Sequence, residues 1–160
     1  MKKLLLSIAL LILLNGCSHV ISRTNLEKID RSVSLEQLMK APEKYVGKIV
    51  LLGGEIVNAV NRKEGTYLEV LQKEVDSYGR PLESDKTRGR FLIIYEGYLD
   101  SAIFSRGRPL TVAGEVRGVK KQPLGEIEYK YPLIKALEMH LLDYRRGPAI
   151  RFGIGIGGTF

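Results

Sequence analysis

The sequence predicts a mainly β domain, a small OB-like five-stranded barrel carrying one short N-terminal helix. Two observations predict it. From Ile49 onward apolar residues recur mostly at every second position, the period of a half-buried strand. In addition, Val50-Leu51-Leu52-Gly53-Gly54-Glu55-Ile56 and Leu110-Thr111-Val112-Ala113-Gly114-Glu115-Val116 match in character position by position, each with small residues in its middle. Glycine inside a strand marks a bend, a bulge or a close approach. A small closed barrel needs such bends, because one strand must serve two sheets. The match is read as shared geometry rather than as a duplicated domain.

The barrel is preceded by a lipoprotein signal peptide, residues 1–16. Met1-Lys2-Lys3 is a basic start, Leu4 to Leu14 is a short apolar run, and Leu14-Asn15-Gly16-Cys17 closes it. These are the parts of a secretory signal, and a cysteine after the cut is the layout of a bacterial lipobox. The run is about half the ~20 residues that cross a bilayer. Cys17 is therefore the expected lipid attachment. Two or three acyl chains there hold a protein where one holds it only marginally. Asn15 departs from the small or β-branched residue usual two before the cysteine. Ser18, where Asp retains a lipoprotein on the inner membrane in enterobacteria-like sorting, points to the outer membrane.

Residues 17–33 read as a polar lipidated tether. The β domain is expected over 34–146. It opens with a helix at 35–40, where Ser34 is the N-cap and Gln37 completes a capping box; Pro42 ends it. Strands follow at Ile49 to Ala59, Thr66 to Gln72, Arg90 to Tyr95, Pro109 to Gly118, and Ile127 to about Leu142. Pro132 predicts an edge or a break in the last of these. Gly79 to Arg88 is a polar loop, and Gly97 to Gly107 a connection with room for one helical turn. Residues 147–160 form a Gly-rich tail in which Ile150, Phe152, Ile154 and Ile156 alternate. It is either a passive extension or a strand that pairs with the barrel's own edge or with a partner.

Composition excludes several classes of function. The 160-residue chain carries a formal charge of +7, falling to +5 without Lys2 and Lys3, and its basic residues are spread rather than massed in one arm. Its one cysteine is consumed by acylation, so no thiol remains for a disulfide or a nucleophile. No Gly-x-Ser-x-Gly occurs, and two histidines, His19 and His140, are too few for a zinc site of the usual kind. No cofactor and no metal are expected. Glu55 and Glu115 stand at equivalent places in the look-alike strands and are the one carboxylate pair for acid–base work, although their alternation with the buried face points both to solvent. Asp76-Ser77-Tyr78 and Gly97-Tyr98-Leu99-Asp100 read either as ligand-binding loops or as Asx-turns. Arg88, Arg90 and Tyr95 supply part of a nucleic-acid face, which the compartment argues against.

The order and spacing of several pieces resemble one family. They are Tyr45-Val46-Gly47, Gly53-Gly54-x-Ile56-x-Asn58, Leu68-Glu69-Val70, Asp76-Ser77-Tyr78 with Arg80-Pro81, Gly89-Arg90-Phe91, Gly97-Tyr98-Leu99-Asp100, Thr111-Val112-x-Gly114-x-Val116-x-Gly118 and Tyr131-Pro132. From the lipobox to about Arg146 the chain resembles the Slp family, the starvation-inducible outer-membrane lipoproteins of Gram-negative bacteria. It departs from that pattern at Leu141-Leu142, where an aromatic residue is usual, and the tail lies outside it. The resemblance implies an outer-membrane lipoprotein with no established enzymatic activity, and it carries over one residue, the acylated Cys17.

The expected function is that of a non-enzymatic cell-envelope binding or structural module. It is anchored in outer-membrane lipid, faces the periplasm, and engages an envelope protein but no nucleic acid. The alternatives are a small-ligand or glycan binder using a barrel face near Tyr78, Arg90 and Tyr98, or an envelope enzyme.

Overall fold

The computed structural model describes residues 19–143. Cys17, the signal segment and the tail expected at 147–160 lie outside the described residues.

Short helices precede the strands. Helix α1 spans Arg23–Leu26 and α2 spans Leu35–Lys40, followed by a 3₁₀ turn at Pro42–Tyr45. The capping box on α2 forms as the sequence requires. The Ser34 hydroxyl accepts from the Gln37 amide and the Gln37 side chain accepts from the Ser34 amide. Leu35 and Leu38 face inward and join the core.

The strands are β1 (Ile49–Arg62), β2 (Gly65–Lys73), β3 (Arg90–Tyr95), β4 (Pro109–Leu124) and β5 (Ile127–Leu141). They close in the order β1-β2-β3-β5-β4, antiparallel except for β3 with β5. This is the expected OB-like barrel. Its core comprises Val50, Leu52, Ile56, Leu68, Val70, Phe91, Ile93, Leu110, Val112, Val116 and Ile134, every one buried. Met39 of α2 lies near Gly89, at the Arg90 end of β3. Leu99 and Phe104 pack on the core from the connection that follows Tyr95.

The look-alike strands are β1 and β4, and they pair with each other, Val50 opposite Gly114 and Gly54 opposite Leu110. Their glycines are sites of close approach. A Cβ on Gly54 would strike the Leu71 carbonyl oxygen, and one on Gly114 would stand 2.5 Å from Ile134 Cγ2 and 2.7 Å from the Lys135 oxygen. Each strand also slips register: one extra residue, Val57, bulges from β1, Arg117 from β4 and Leu137 from β5. Bulges bend strands and raise their twist, which is how a few strands close.

Several features differ from the sequence reading, and β1 runs on past Ala59 to Arg62. Strand β4 continues past Gly118 to Leu124 and forms a hairpin with β5. This arm leaves the core, so its residues carry no apolar alternation to reveal it. The break expected at Pro132 is absent: Pro132 pairs with Val119 and stands one residue before β3 joins at Leu133. Proline is tolerated where one side of a strand is unpaired. The residues expected as a tether are packed on the barrel from His19 onward. Ile21 and Val33 are buried, Val20 N–H donates to the Tyr78 carbonyl, and Asp30 N–H to that of Ile49. The turn expected between Gly97 and Gly107 forms at Asp100, whose carbonyl accepts from Ile103 and Phe104.

Candidate functional site

Alternation assigns the outer face of β2, β3 and β5. Because Leu68, Val70, Phe91, Ile93 and Ile134 point into the core, Tyr67, Glu69, Arg90, Leu92, Tyr131 and Leu133 point out. The registers bring them together, Glu69 opposite Leu92 and Leu92 opposite Leu133. Glu69 Oε1 accepts from Arg90 Nη1 at 2.6 Å and from the Tyr131 hydroxyl at 3.1 Å. Tyr129 stacks obliquely on Tyr131, centroids 4.6 Å apart, and its oxygen accepts from the Arg90 amide. Lys120 Nζ lies 4.0 Å above the Tyr67 ring, the geometry of a cation–π contact. Burial, with the neighbouring Glu69 carboxylate, pushes the Tyr131 phenol up to about 12. It stays protonated and donates to Glu69 at any physiological pH. Glu69, Arg90 and Tyr131 thereby join β2, β3 and β5 across their shared outer face.

A second polar centre lies where the N-terminal segment meets β5. The Glu138 carboxylate accepts from Ser22 N and Oγ at 2.9 and 2.6 Å and from Asn25 Nδ2 at 2.7 Å, and it lies 2.9 Å from His140 Nε2. Burial raises the Glu138 pKa, but the hydrogen bonds from Ser22, Asn25 and His140 outweigh it and hold the group at about 2. His140 thereby has a structural partner, and no metal role is needed to explain it.

The loop Glu74–Leu82 folds back on itself, Val75 bridging to Pro81 and Leu82 N–H donating to the Glu74 carbonyl. Asp76 Oδ1 accepts from the amides of Tyr78 and Arg80, both at 2.8 Å, so the Asx-turn reading holds. The buried Thr111 hydroxyl ties the loop to β4 by donating to the Gly79 carbonyl at 2.6 Å. Asp100 makes a similar turn with the Ala102 amide. Clefts flank the Tyr78 loop. One of about 260 Å³ is walled by Tyr78, Arg80, Leu82, Pro109, Leu142 and Asp143. The other, about 290 Å³, separates the loop from residues 19–33.

The residues singled out from sequence do not converge. Glu55 pairs with Pro109 and Glu115 with Ile49, at opposite ends of the β1–β4 ladder, which is about 20 Å at strand spacing. They cannot share a reacting atom. Glu55 lies 3.9 Å from the buried Lys73 amine and Glu115 accepts from Arg117. Tyr78, Arg90 and Tyr98 do not form one face either. Arg90 begins β3 and Tyr98 follows its other end, whereas Tyr78 belongs to the loop whose Gly79 lies against Leu51 of β1 and Thr111 of β4. Arg88 binds Glu36 of α2, and Tyr95 lies a full strand from Arg90. Sequence reading missed Glu69, Tyr131, Lys120 and Glu138. Alternation of Tyr67 with Glu69, and of Tyr129 with Tyr131, was a usable signal for shared faces, but the parallel β3–β5 pairing that joins those faces is not local. Among the described residues no group of three or more His, Cys, Asp or Glu side chains gathers as metal ligands.

The fold and these centres define a small OB-type barrel whose N-terminal segment is fastened to its own wall. The chain belongs to the outer membrane lipoprotein Slp family, whose model matches residues 14–149. It is an outer-membrane lipoprotein of the cell envelope. It is 30% identical to the uncharacterized lipoprotein YeaY of Escherichia coli over 84% of this chain and 67% of that one. It is 29% identical to the outer membrane protein Slp of the same organism, over 82% and 70%. Among solved structures, a small single-stranded DNA-binding protein from Streptomyces coelicolor aligns with 63% of this chain and 98% of its own at 14% identity and a TM-score of 0.37. That likeness implies nothing of a shared ligand.

Proposed function

We propose that this protein is a non-enzymatic module of the envelope, acylated at Cys17, facing the periplasm, and holding a protein partner at the outer membrane. The observation that carries the reading is where the polar groups are spent. Glu69, Arg90 and Tyr131 join strands, Glu138 fastens the N-terminal segment, and Asp76 and Asp100 close turns. A catalytic site needs a base or nucleophile aimed at a cleft with a third group to orient it, and these residues are aimed at one another. The small-ligand alternative loses its geometric support, since Tyr78, Arg90 and Tyr98 lie apart.

Two experiments test the reading. Cys17→Ser should abolish acylation and leave a protein that keeps its N-terminal segment or enters a soluble fraction; unchanged outer-membrane fractionation would refute the lipid attachment. Cross-linking intact envelopes and recovering the tagged lipoprotein should yield one envelope protein in stoichiometric amount. Recovery of the lipoprotein alone at every cross-linker length, or turnover by the purified protein, argues against the module reading.

A further inference from the structure

We propose that the outer face around Tyr67 binds a phosphorylated saccharide, its phosphoryl group held between Arg62 of β1 and Lys120 of β4. The site is additional to the protein contact proposed above and does not depend on it.

Two cations from strands far apart in sequence converge on one ring. Lys120 Nζ lies 4.0 Å, and Arg62 Cζ 5.7 Å, from the centroid of Tyr67. Their charges therefore stand within about 10 Å of each other, roughly one screening length at moderate salt. Among the described residues neither forms an ion pair. The acidic groups of the neighbouring strands are engaged elsewhere: Glu69 with Arg90, Glu96 with Lys135, Glu115 with Arg117 and Glu128 with Lys121. Glu64 faces the Tyr67 hydroxyl. An anion seated between Arg62 and Lys120 relieves their repulsion.

Strand phase alone would turn both side chains the other way. Ile56 points into the core, and Asn58, Val60 and Arg62 follow it at every second position. The extra residue Val57 reverses that phase, so Asn58 stands opposite Glu69, Val60 opposite Tyr67 and Arg62 opposite Gly65. Arg117 does the same on β4: Val116 is a core residue, yet Lys120 stands opposite Tyr131 on the outer face. Bulges recur beside functional sites because they re-aim a side chain. Barrel closure accounts for the bends, but not for a cation on each reversed segment aimed at the same tyrosine.

Position and neighbours select the ligand. OB-type barrels take oligonucleotides and oligosaccharides on the outer face of β2 and β3, between the β1–β2 and β4–β5 connections. Arg62 ends β1 at the first connection, and Lys120 lies at the base of the arm that forms the second. A nucleic-acid base needs an open aromatic face on which to stack, and Lys120 lies over that of Tyr67. A sugar phosphate needs its charge matched and its hydroxyls bonded. Arg62 offers a fork of donors to the phosphoryl oxygens and Lys120 a point charge. Asn58 is exposed beside them; its Oδ1 accepts from the Ala59 amide, which leaves its NH2 for a sugar hydroxyl.

The full chain in phosphatidylcholine nanodiscs, titrated calorimetrically with a monophosphorylated pentamannoside, tests this. One equivalent should bind. The unphosphorylated pentamannoside and inorganic phosphate should each bind more weakly by about tenfold or more. Arg62→Gln and Lys120→Gln should each weaken binding about tenfold, the loss of one charge-assisted contact, at unchanged melting temperature, and Lys120→Arg should retain it. Lys44→Gln removes the same charge from the exposed 3₁₀ turn and should change nothing. No binding, or equal weakening by Lys44→Gln, overturns the proposal, the latter in favour of diffuse net charge. Equal affinity for inorganic phosphate overturns the saccharide and leaves a bare anion site. Tighter binding of a thymidine decanucleotide reassigns the face to nucleic acid. Displacement of the pentamannoside by vesicles containing phosphatidylglycerol, and not by vesicles of phosphatidylcholine, reassigns it to a lipid surface.

Discussion

The Tyr131 hydroxyl, on β5, donates to Glu69 Oε1, on β2, across 3.1 Å and over the strand that separates them. Arg90, on that middle strand, donates to the same oxygen. Strand β3 is short and meets β5 through only Leu92, Ile93 and Ile94, so this triad reinforces the barrel at its thinnest seam.

Tyr131→Phe should cost about 1 kcal/mol, the net worth of one hydrogen bond. Glu69→Ala should cost more, about 1–3 kcal/mol, because it strands the Arg90 guanidinium and the buried Tyr131 hydroxyl together. Urea denaturation of the two variants measures both. Equal costs would mean that the triad is not coupled.

Glu138 makes stability depend on acid. Its folded pKa of about 2 lies below the ordinary 4.5, so its contribution is complete above pH 4.5 and is lost as pH falls toward 2. After solvent screening, the contribution is roughly 1–2 kcal/mol. Glu138→Gln should flatten the melting temperature against pH between about 5 and 2 relative to the unaltered protein. Asp30, held at about 2 by Ser32 and Lys48, remains in the variant and keeps part of the slope. Identical pH profiles would show that Glu138 is no clamp.

Gly54→Val and Gly114→Val should each destabilise by about 1–3 kcal/mol or more. The obstacles are backbone carbonyls of neighbouring strands, Leu71 and Lys135, and these can yield only by opening the barrel. Unchanged melting temperatures for both variants would contradict the close approach.

Deleting Pro148 to Phe160 should leave the melting temperature of the purified protein unchanged. The five strands already close on one another, and the described core is complete without a further strand. A fall of several degrees would show that the segment packs on its own domain.

Much of the fold is legible in the chain because it is written in local pattern. Period-two alternation places β2 and β3 within a residue or so, and Ser34 with Gln37 marks the start of α2. Small residues at Gly54 and Gly114 announce close packing. The arm past Gly118 escapes notice because a strand with no core to face need not alternate. Residues 19–33 read as a tether because their polarity is real. Part of what binds them is polar too, a carboxylate more than a hundred residues away at Glu138, and the rest is the burial of Ile21 and Val33.

By itself the sequence determined that this is an exported, mainly β chain with two small-centred strands, and its motifs in order determined the family. Those properties depend on composition, spacing and near neighbours. Tertiary structure alone decided that β1 and β4 pair antiparallel, which puts Glu55 and Glu115 at opposite ends of one ladder. It alone decided that β5 runs parallel to β3 and so joins Tyr131 to Glu69. It also decided that His19 and Asp143, at opposite ends of the described chain, lie beside the same tyrosine, Tyr78. The reason is that barrel closure is a condition on all five strands at once. Registers and bulges shift until the last strand meets the first, and no segment of the chain carries that constraint alone.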